Sequence, residues 1–307
     1  MFHFILLSFI SCTSLLAQAP DTIVTLWPEG EIPCANDLTL EIQQSEDIGA
    51  LSFKTHTPEI HIYQPLKATS KEAAVLICPG GGYYLLAWDW EGVDIARYFV
   101  HQGYTVGVLR SRLPHWESEA CRSKVALMDA QRGMQLFRSM SSQLGFAKDK
   151  VALMGFSAGG HLAASAAVHH KAADPTSSDP IDAFSSRPDL SILVYPVIST
   201  DTIKAGHGGS IRNLLGQQPD PGLIEYYSIE KQVTKETPPT FLAHADDDAV
   251  VVPENSILYY QALHRAGVPA ALHIYSQGEH GFAAGRHLTG DTIGWLEDLM
   301  RWLGVYW

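Results

Sequence analysis

Three side chains of the kinds needed for nucleophilic acyl transfer lie along the chain in the order Ser157, Asp248, His280. Ser157 sits in Gly155-Phe156-Ser157-Ala158-Gly159, a G-x-S-x-G string between an apolar run, Val151 to Met154, and a small-residue run beginning at Ala158. A sharp strand-to-helix turn at this point would lift the serine above a sheet, and glycine is needed where the backbones crowd. The next helix would start directly beneath the hydroxyl, with free N–H groups suited to a developing oxyanion.

A serine hydroxyl is a weak nucleophile at neutral pH and needs a base oriented by an acid. Among the 14 histidines, His280 stands out by position. It follows the last expected strand and lies in Gly278-Glu279-His280-Gly281, a loop able to aim an imidazole across a sheet edge. The acid is sought in Asp246-Asp247-Asp248, just after the strand Thr240 to Ala245. Asp248 is the choice because the turn entering the Val250-Val251-Val252 run points inward, and Asp246 and Asp247 read as turn or solvent-facing residues. Asp201, past the preceding strand, is the outside candidate. For the oxyanion, Ala158 offers one backbone N–H, and the loop Pro79-Gly80-Gly81-Gly82-Tyr83 offers Gly81 and Gly82. That loop has no Gly-Lys-Ser/Thr ending, so a phosphate-cradling role is disfavoured.

The elements that must hold these groups are legible as alternating apolar strands and amphipathic helices. Ala73 to Cys78 is continuously apolar, as a central parallel strand buried on both faces would be. Further strands are expected at Ile60 to Tyr63, Tyr104 to Leu109, Leu190 to Ile198 and Ala271 to Tyr275. Helices are expected over Gly92 to Gln102, Cys121 to Leu144, Ala158 to His169, Glu254 to Ala266 and Thr292 to Leu303. The pattern predicts a doubly wound, mostly parallel α/β sheet in a single domain, with ligands beyond the C-terminal strand ends. Residues 55–307 form that domain, and residues 20–54 read as an irregular extension. The Gly- and Pro-containing stretch from Asp201 to Pro239 reads as a short cap-like insertion over the sheet mouth.

A net charge of -12 without Lys/Arg runs argues against nucleic acid as a partner. Residues 1–19 read as a secretory signal peptide: Phe2 to Leu16 is largely apolar, and Ala17-Gln18-Ala19 supplies small residues for cleavage. The apolar run falls short of the ~20 residues that span a bilayer. Phe9-Ile10-Ser11-Cys12 is a poor lipoprotein box, so anchoring through Cys12 is disfavoured and a secreted or periplasmic location is expected. Cys34 and Cys121 are available for a disulfide in an oxidising compartment, and Cys78 reads as a packed apolar residue. No cysteine or histidine spacing points to a metal.

Four strings in order, CPGGGY (Cys78 to Tyr83), GFSAGGHLAA (Gly155 to Ala164), HADDDAVVVPENS (His244 to Ser256) and QGEHGF (Gln277 to Phe282), resemble the α/β-hydrolase superfamily. Within it, AWDWEG (Ala87 to Gly92) and NLLG (Asn213 to Gly216) are similar to the acetylxylan-esterase-like and feruloyl/acetyl esterases. The resemblance covers about residues 55 to 305. It implies Ser157 as nucleophile, His280 as base, Asp248 as acid and no cofactor, with ester hydrolysis through an acyl-enzyme. An extra Val in Val250-Val251-Val252-Pro253 departs from the pattern and lengthens the turn after Asp248. Acetyl groups on xylan or xylo-oligosaccharides are the expected substrate, with Tyr83 and Trp88 as candidate sugar contacts. General short-chain esterase, serine peptidase and non-catalytic binding protein are the alternatives.

Overall fold

The computed structural model describes residues 19–201, 205–283, 292 and 294–307. The expected signal peptide therefore lies outside the described residues, apart from Ala19. Among the described residues ten strands form: β1 (Thr22–Thr25), β2 (Glu41–Ser45), β3 (Gly49–Phe53), β4 (Glu59–Tyr63), β5 (Ala74–Cys78), β6 (Thr105–Arg110), β7 (Val151–Phe156), β8 (Leu190–Val194), β9 (Thr240–Ala245) and β10 (Ala270–Tyr275). The helices are α1 (Asp94–His101), α2 (Glu119–Ser139), α3 (Ser141–Leu144), α4 (Ser157–Val168), α5 (Gly208–Leu215), α6 (Pro221–Tyr226), α7 (Glu254–Arg265) and α8 (Trp295–Tyr306).

Eight strands make one sheet in the order β1-β4-β6-β5-β7-β8-β9-β10. Pairings from β6 through β10 are parallel, whereas β1–β4 and β4–β6 are antiparallel. This is the doubly wound α/β-hydrolase architecture that the strand–helix alternation predicts. In β5, Ala74, Leu76 and Cys78 join the core beneath α2, α4 and α7. Val75 and Ile77 join the opposite core beneath α1 and α8. A strand covered on both faces must be apolar at every position, which is why its sequence shows no alternation.

Within the extension 20–54, three short strands flank an irregular stretch over residues 26–40. β1 adds an edge strand to the main sheet, and β2 and β3 form a hairpin with Ser45 opposite Gly49. These strands are short and polar on their exposed faces, so hydrophobic periodicity is weak there. Cys34 and Cys121 form a disulfide with Cα atoms 6.0 Å apart, stapling this segment to the first turn of α2. The cap-like insertion consists of α5, α6 and a short 3₁₀ turn, Ile229–Lys231. Helix α1 begins later than expected because Trp88–Val93 forms a wider π-type turn, and this turn reaches the site. Among the described residues, no helix is long and apolar enough to cross a membrane.

Candidate active site

Ser157 stands at the junction of β7 and α4 with φ of +51°, a left-handed conformation rare for a residue with a Cβ. The flanking glycines make the turn possible. A Cβ on Gly155 would lie 2.1 Å from the Gly159 carbonyl oxygen, and one on Gly159 would lie 2.2 Å from that of Cys78. These are backbone contacts, so no rotamer change relieves them.

His280 and Asp248 arrive from separate loops 32 residues apart. The His280 Nε2 is 2.9 Å from Ser157 Oγ, and its Nδ1 is 2.7 Å from Asp248 Oδ2. Of the acid candidates, Asp248 makes the hydrogen bond to the imidazole, and Asp246 is exposed. Asp247 has a different task. Its carboxylate accepts the N–H groups of Gly278 and Glu279 at 2.9 and 2.8 Å, pinning the loop that carries His280.

Asp248 is 3 % exposed. Its Oδ1 accepts the N–H groups of Val250 and Val251 at 2.9 and 2.8 Å, so the lengthened turn cradles the carboxylate instead of disturbing it. Burial opposes its charge. Hydrogen bonds from His244 and His280, the charge of His280 and the Val251 N–H outweigh burial and hold the carboxyl well below its usual range. His244 lies behind the carboxylate: its Nε2 is 2.7 Å from the Val251 carbonyl and 3.3 Å from Asp248 Oδ2, and its Nδ1 is 2.8 Å from Ser256 Oγ.

The glycine loop reaches Ser157 from the end of β5. Gly81, Gly82 and Tyr83 have φ of +125°, +65° and +60°. Its carbonyls are held by other groups: Gly80 by the Ala87 N–H, Gly81 by Tyr84 and Leu85, Gly82 by Asn213 and Tyr83 by His115. Among the described residues the N–H groups of Gly81 and Gly82 have no protein acceptor, and both glycines line the cleft beside Ser157. Ala158 is the second residue of α4, where the first N–H groups have no acceptor within the helix.

Tyr83 and Trp88, the two expected sugar contacts, do not line the cleft. Tyr83 is buried, and its hydroxyl donates to His161 Nδ1 at 2.7 Å, beneath the loop and away from the cleft. Trp88 is buried under the Arg110 guanidinium, 4.2 Å from the ring centre, and against His61. The π-type turn rotates Trp90 into the cleft in its place, where the indole N–H donates to the Gly281 carbonyl at 2.8 Å. The cleft, about 680 Å³, has an apolar side of Ile48, Leu85, Ala87 and Phe282 with Trp90. His207 and Val250 line it as well.

Sequence reasoning also missed Glu91 and Tyr195. Glu91 lies in the AWDWEG string, which signalled that the segment mattered without indicating which side chain faced the site. Among the described residues, no group of three or more His, Cys, Asp or Glu side chains is placed to hold a metal ion.

Residues 60–263 match the BD-FAE family model. The chain is 36 % identical over 211 residues to an endo-1,4-beta-xylanase B of Butyrivibrio fibrisolvens, a match that spans 69 % of this chain and 32 % of that protein. It is 34 % identical over 235 residues to an acetylxylan esterase of Xylanibacter ruminicola, spanning 75 % of this chain and 45 % of that one. The chain thus spans between about a third and a half of the length of these curated relatives. Among solved structures, an acetyl ester-xyloside bifunctional hydrolase from Caldicellulosiruptor lactoaceticus superposes with a TM-score of 0.78 at 31 % identity. That superposition covers 94 % of this chain and 97 % of the other.

Proposed function

The chain belongs to the BD-FAE family, and from that premise we propose that it is a carbohydrate esterase that removes acetyl groups from xylan or xylo-oligosaccharides. The observation that carries the reading is the unbroken relay Ser157–His280–Asp248, opening on a cleft that also presents Gly81 and Gly82.

Asp248 accepts the Nδ1–H of His280, leaving Nε2 as the lone-pair nitrogen facing Ser157 Oγ. His280 removes the hydroxyl proton as Ser157 Oγ attacks the ester carbonyl carbon. Negative charge moves to the carbonyl oxygen, where the N–H groups of Ala158 and of Gly82 or Gly81 receive it. Collapse of this intermediate breaks the ester C–O bond, and the imidazolium protonates the departing sugar hydroxyl. Water then enters, His280 takes one of its protons, and a second tetrahedral intermediate releases acetate and restores Ser157. The persistent charge on Asp248 stabilises the imidazolium in both halves.

The acetyl and sugar preference is supported by the names of the acetylxylan esterase and the acetyl ester-xyloside hydrolase to which the chain is similar. Export to an oxidising compartment is part of the proposal and is supported by the Cys34–Cys121 disulfide. The test is acetate release from acetylated xylan by the wild-type protein and by Ser157→Ala, alongside p-nitrophenyl acetate, long-chain esters and peptides. We expect cleavage of the acetyl substrates and a loss of about 10⁶ in turnover with Ser157→Ala. Near-wild-type turnover in that variant overturns the assignment of Ser157, and preference for peptides or long-chain esters overturns the substrate class.

A further inference from the structure

The cleft contains a carboxylate that the relay does not use. Glu91 is 4 % exposed and lines the cleft from the π-type turn. Its Oε2 accepts the Gly80 N–H at 2.7 Å, and its Oε1 accepts the Tyr195 hydroxyl at 3.0 Å. The Tyr195 hydroxyl in turn accepts the Ala283 N–H at 3.3 Å. The Tyr195 ring stands edge-on to His280 with centroids 4.9 Å apart. Glu91 thus touches the glycine loop directly and reaches the His280 loop through one phenol. Trp90 makes a parallel link on the other side of the turn, through the Gly281 carbonyl.

Burying a carboxylate costs free energy unless hydrogen bonds replace its water, and here both oxygens have protein donors. Burial pushes the Glu91 carboxyl up, while the charge of His280, the Gly80 N–H and the Tyr195 hydroxyl act in the opposite direction. An apolar side chain would fill this space without that cost, so the carboxylate points to a task other than packing. Pro79 has no N–H, so Gly80 supplies the first donor of the loop. The three glycines that follow Pro79 have wide conformational freedom. The Gly80 N–H bond orients the peptide plane that enters the loop, and the Ala87 N–H bond to the Gly80 carbonyl orients the next plane, which carries the Gly81 N–H. The contact is close: a Cβ on Gly80 would lie 2.5 Å from Glu91 Oε2 and 3.0 Å from Ser157 Cβ.

We propose that Glu91 is a positioning residue for ester hydrolysis, acting by tying the oxyanion-facing glycine loop at Gly80 to the Tyr195–Ala283 support of the His280 loop. The proposal rests on the esterase reading, and wild-type hydrolysis of p-nitrophenyl acetate is its reference. Because the loop acts on the tetrahedral species, Glu91→Ala is expected to lower kcat about 10²-fold with KM within about threefold. Inactivation by a p-nitrophenyl phosphonate ester, which phosphonylates Ser157 and releases p-nitrophenol, should slow by a similar factor. Glu91→Gln keeps an oxygen for the Gly80 N–H and should recover about tenfold of the lost kcat. The proposal is overturned by kcat within about threefold of wild type in Glu91→Ala, by a loss confined to KM, or by Glu91→Gln no better than Glu91→Ala. If Glu91→Ala does not fold, Tyr195→Phe and Glu91→Gln decide: lowered kcat at constant KM in both supports it, and unchanged kcat in both overturns it. A wild-type protein inactive on acetyl esters refutes the esterase reading instead, so the two failures are distinguishable.

Discussion

His161 should make stability depend on pH in a window set by its burial. It lies on α4 one helical turn beyond Ser157 and is 1 % exposed. Tyr83 donates to its Nδ1 at 2.7 Å, and its Nε2–H donates to the Tyr227 carbonyl at 2.9 Å. Both nitrogens are satisfied in the neutral ring. Burial lowers its pKa from 6.5 to about 4; the Tyr227 carbonyl opposes that shift, and His169 adds to it. Between these values the unfolded chain carries a proton that the folded chain does not. Stability from this group is therefore complete above 6.5, declines as pH falls toward 4 and levels off below it. The loss amounts to about 3 kcal/mol on reaching pH 4. Urea unfolding of wild type and His161→Gln from pH 7.5 to 4 isolates it. The substitution should cost about 2 kcal/mol at pH 7, since a matched buried polar pair is broken. The difference between the two proteins should then shift by about 3 kcal/mol in favour of the variant as pH falls to 4. Glu91 titrates with the opposite sign, but it is present in both proteins and cancels. Parallel stability curves, or a His161 imidazole titrating near its ordinary value by NMR, would refute the reasoning.

Three further outcomes are expected. Asp248→Asn retains the shape of the relay but removes the charge that fixes the His280 tautomer, so kcat should fall about 10⁴-fold with little change in KM. Because the Asp248 carboxyl is held well below its usual range, lowering the pH to 4 should not protonate it, and any acid limb above pH 4 must have another source; a wild-type limb that vanishes in Asp248→Asn while residual turnover persists would contradict this. The Cys34–Cys121 bridge closes a sequence separation of 87 residues, and its loss in the Cys34→Ser/Cys121→Ser double variant should cost up to about 4.5 kcal/mol. Urea unfolding with and without reductant measures it, and a change under about 1 kcal/mol would show that the extension is held by packing alone.

The parallel strands and the nucleophile turn were legible because their causes are local. A strand buried on both faces must be apolar throughout, as in Ala74–Cys78, and a strand–helix turn too tight for a Cβ must have glycine at 155 and 159. The hairpin of β2 and β3 was not legible, since Glu41–Ser45 is mostly exposed and has no apolar pattern. It reaches the cleft through Ile48, held near by the Ala50 N–H bond to Asp89 at 2.9 Å.

Residue types, chain order and the expected strand ends pointed to Ser157, His280 and an acid among residues 246–248, with Asp201 as the outside candidate, because a weak nucleophile requires those partners. Which aspartate faces the imidazole depended on the turn that gives Asp248 the N–H groups of Val250 and Val251 and sends Asp247 to the loop of His280. Only the tertiary structure decided which aromatic residues line the cleft. Tyr83 and Trp88 are near the glycine loop in sequence, but one turns down to His161 and the other under Arg110, leaving Trp90 in the cleft. Side-chain direction in a π-type turn and in a loop at positive φ follows from contacts made by residues far away in the chain. Neighbouring residue types carry no record of those contacts, and the same limit hid the bond from Glu91 to Tyr195, 104 residues apart.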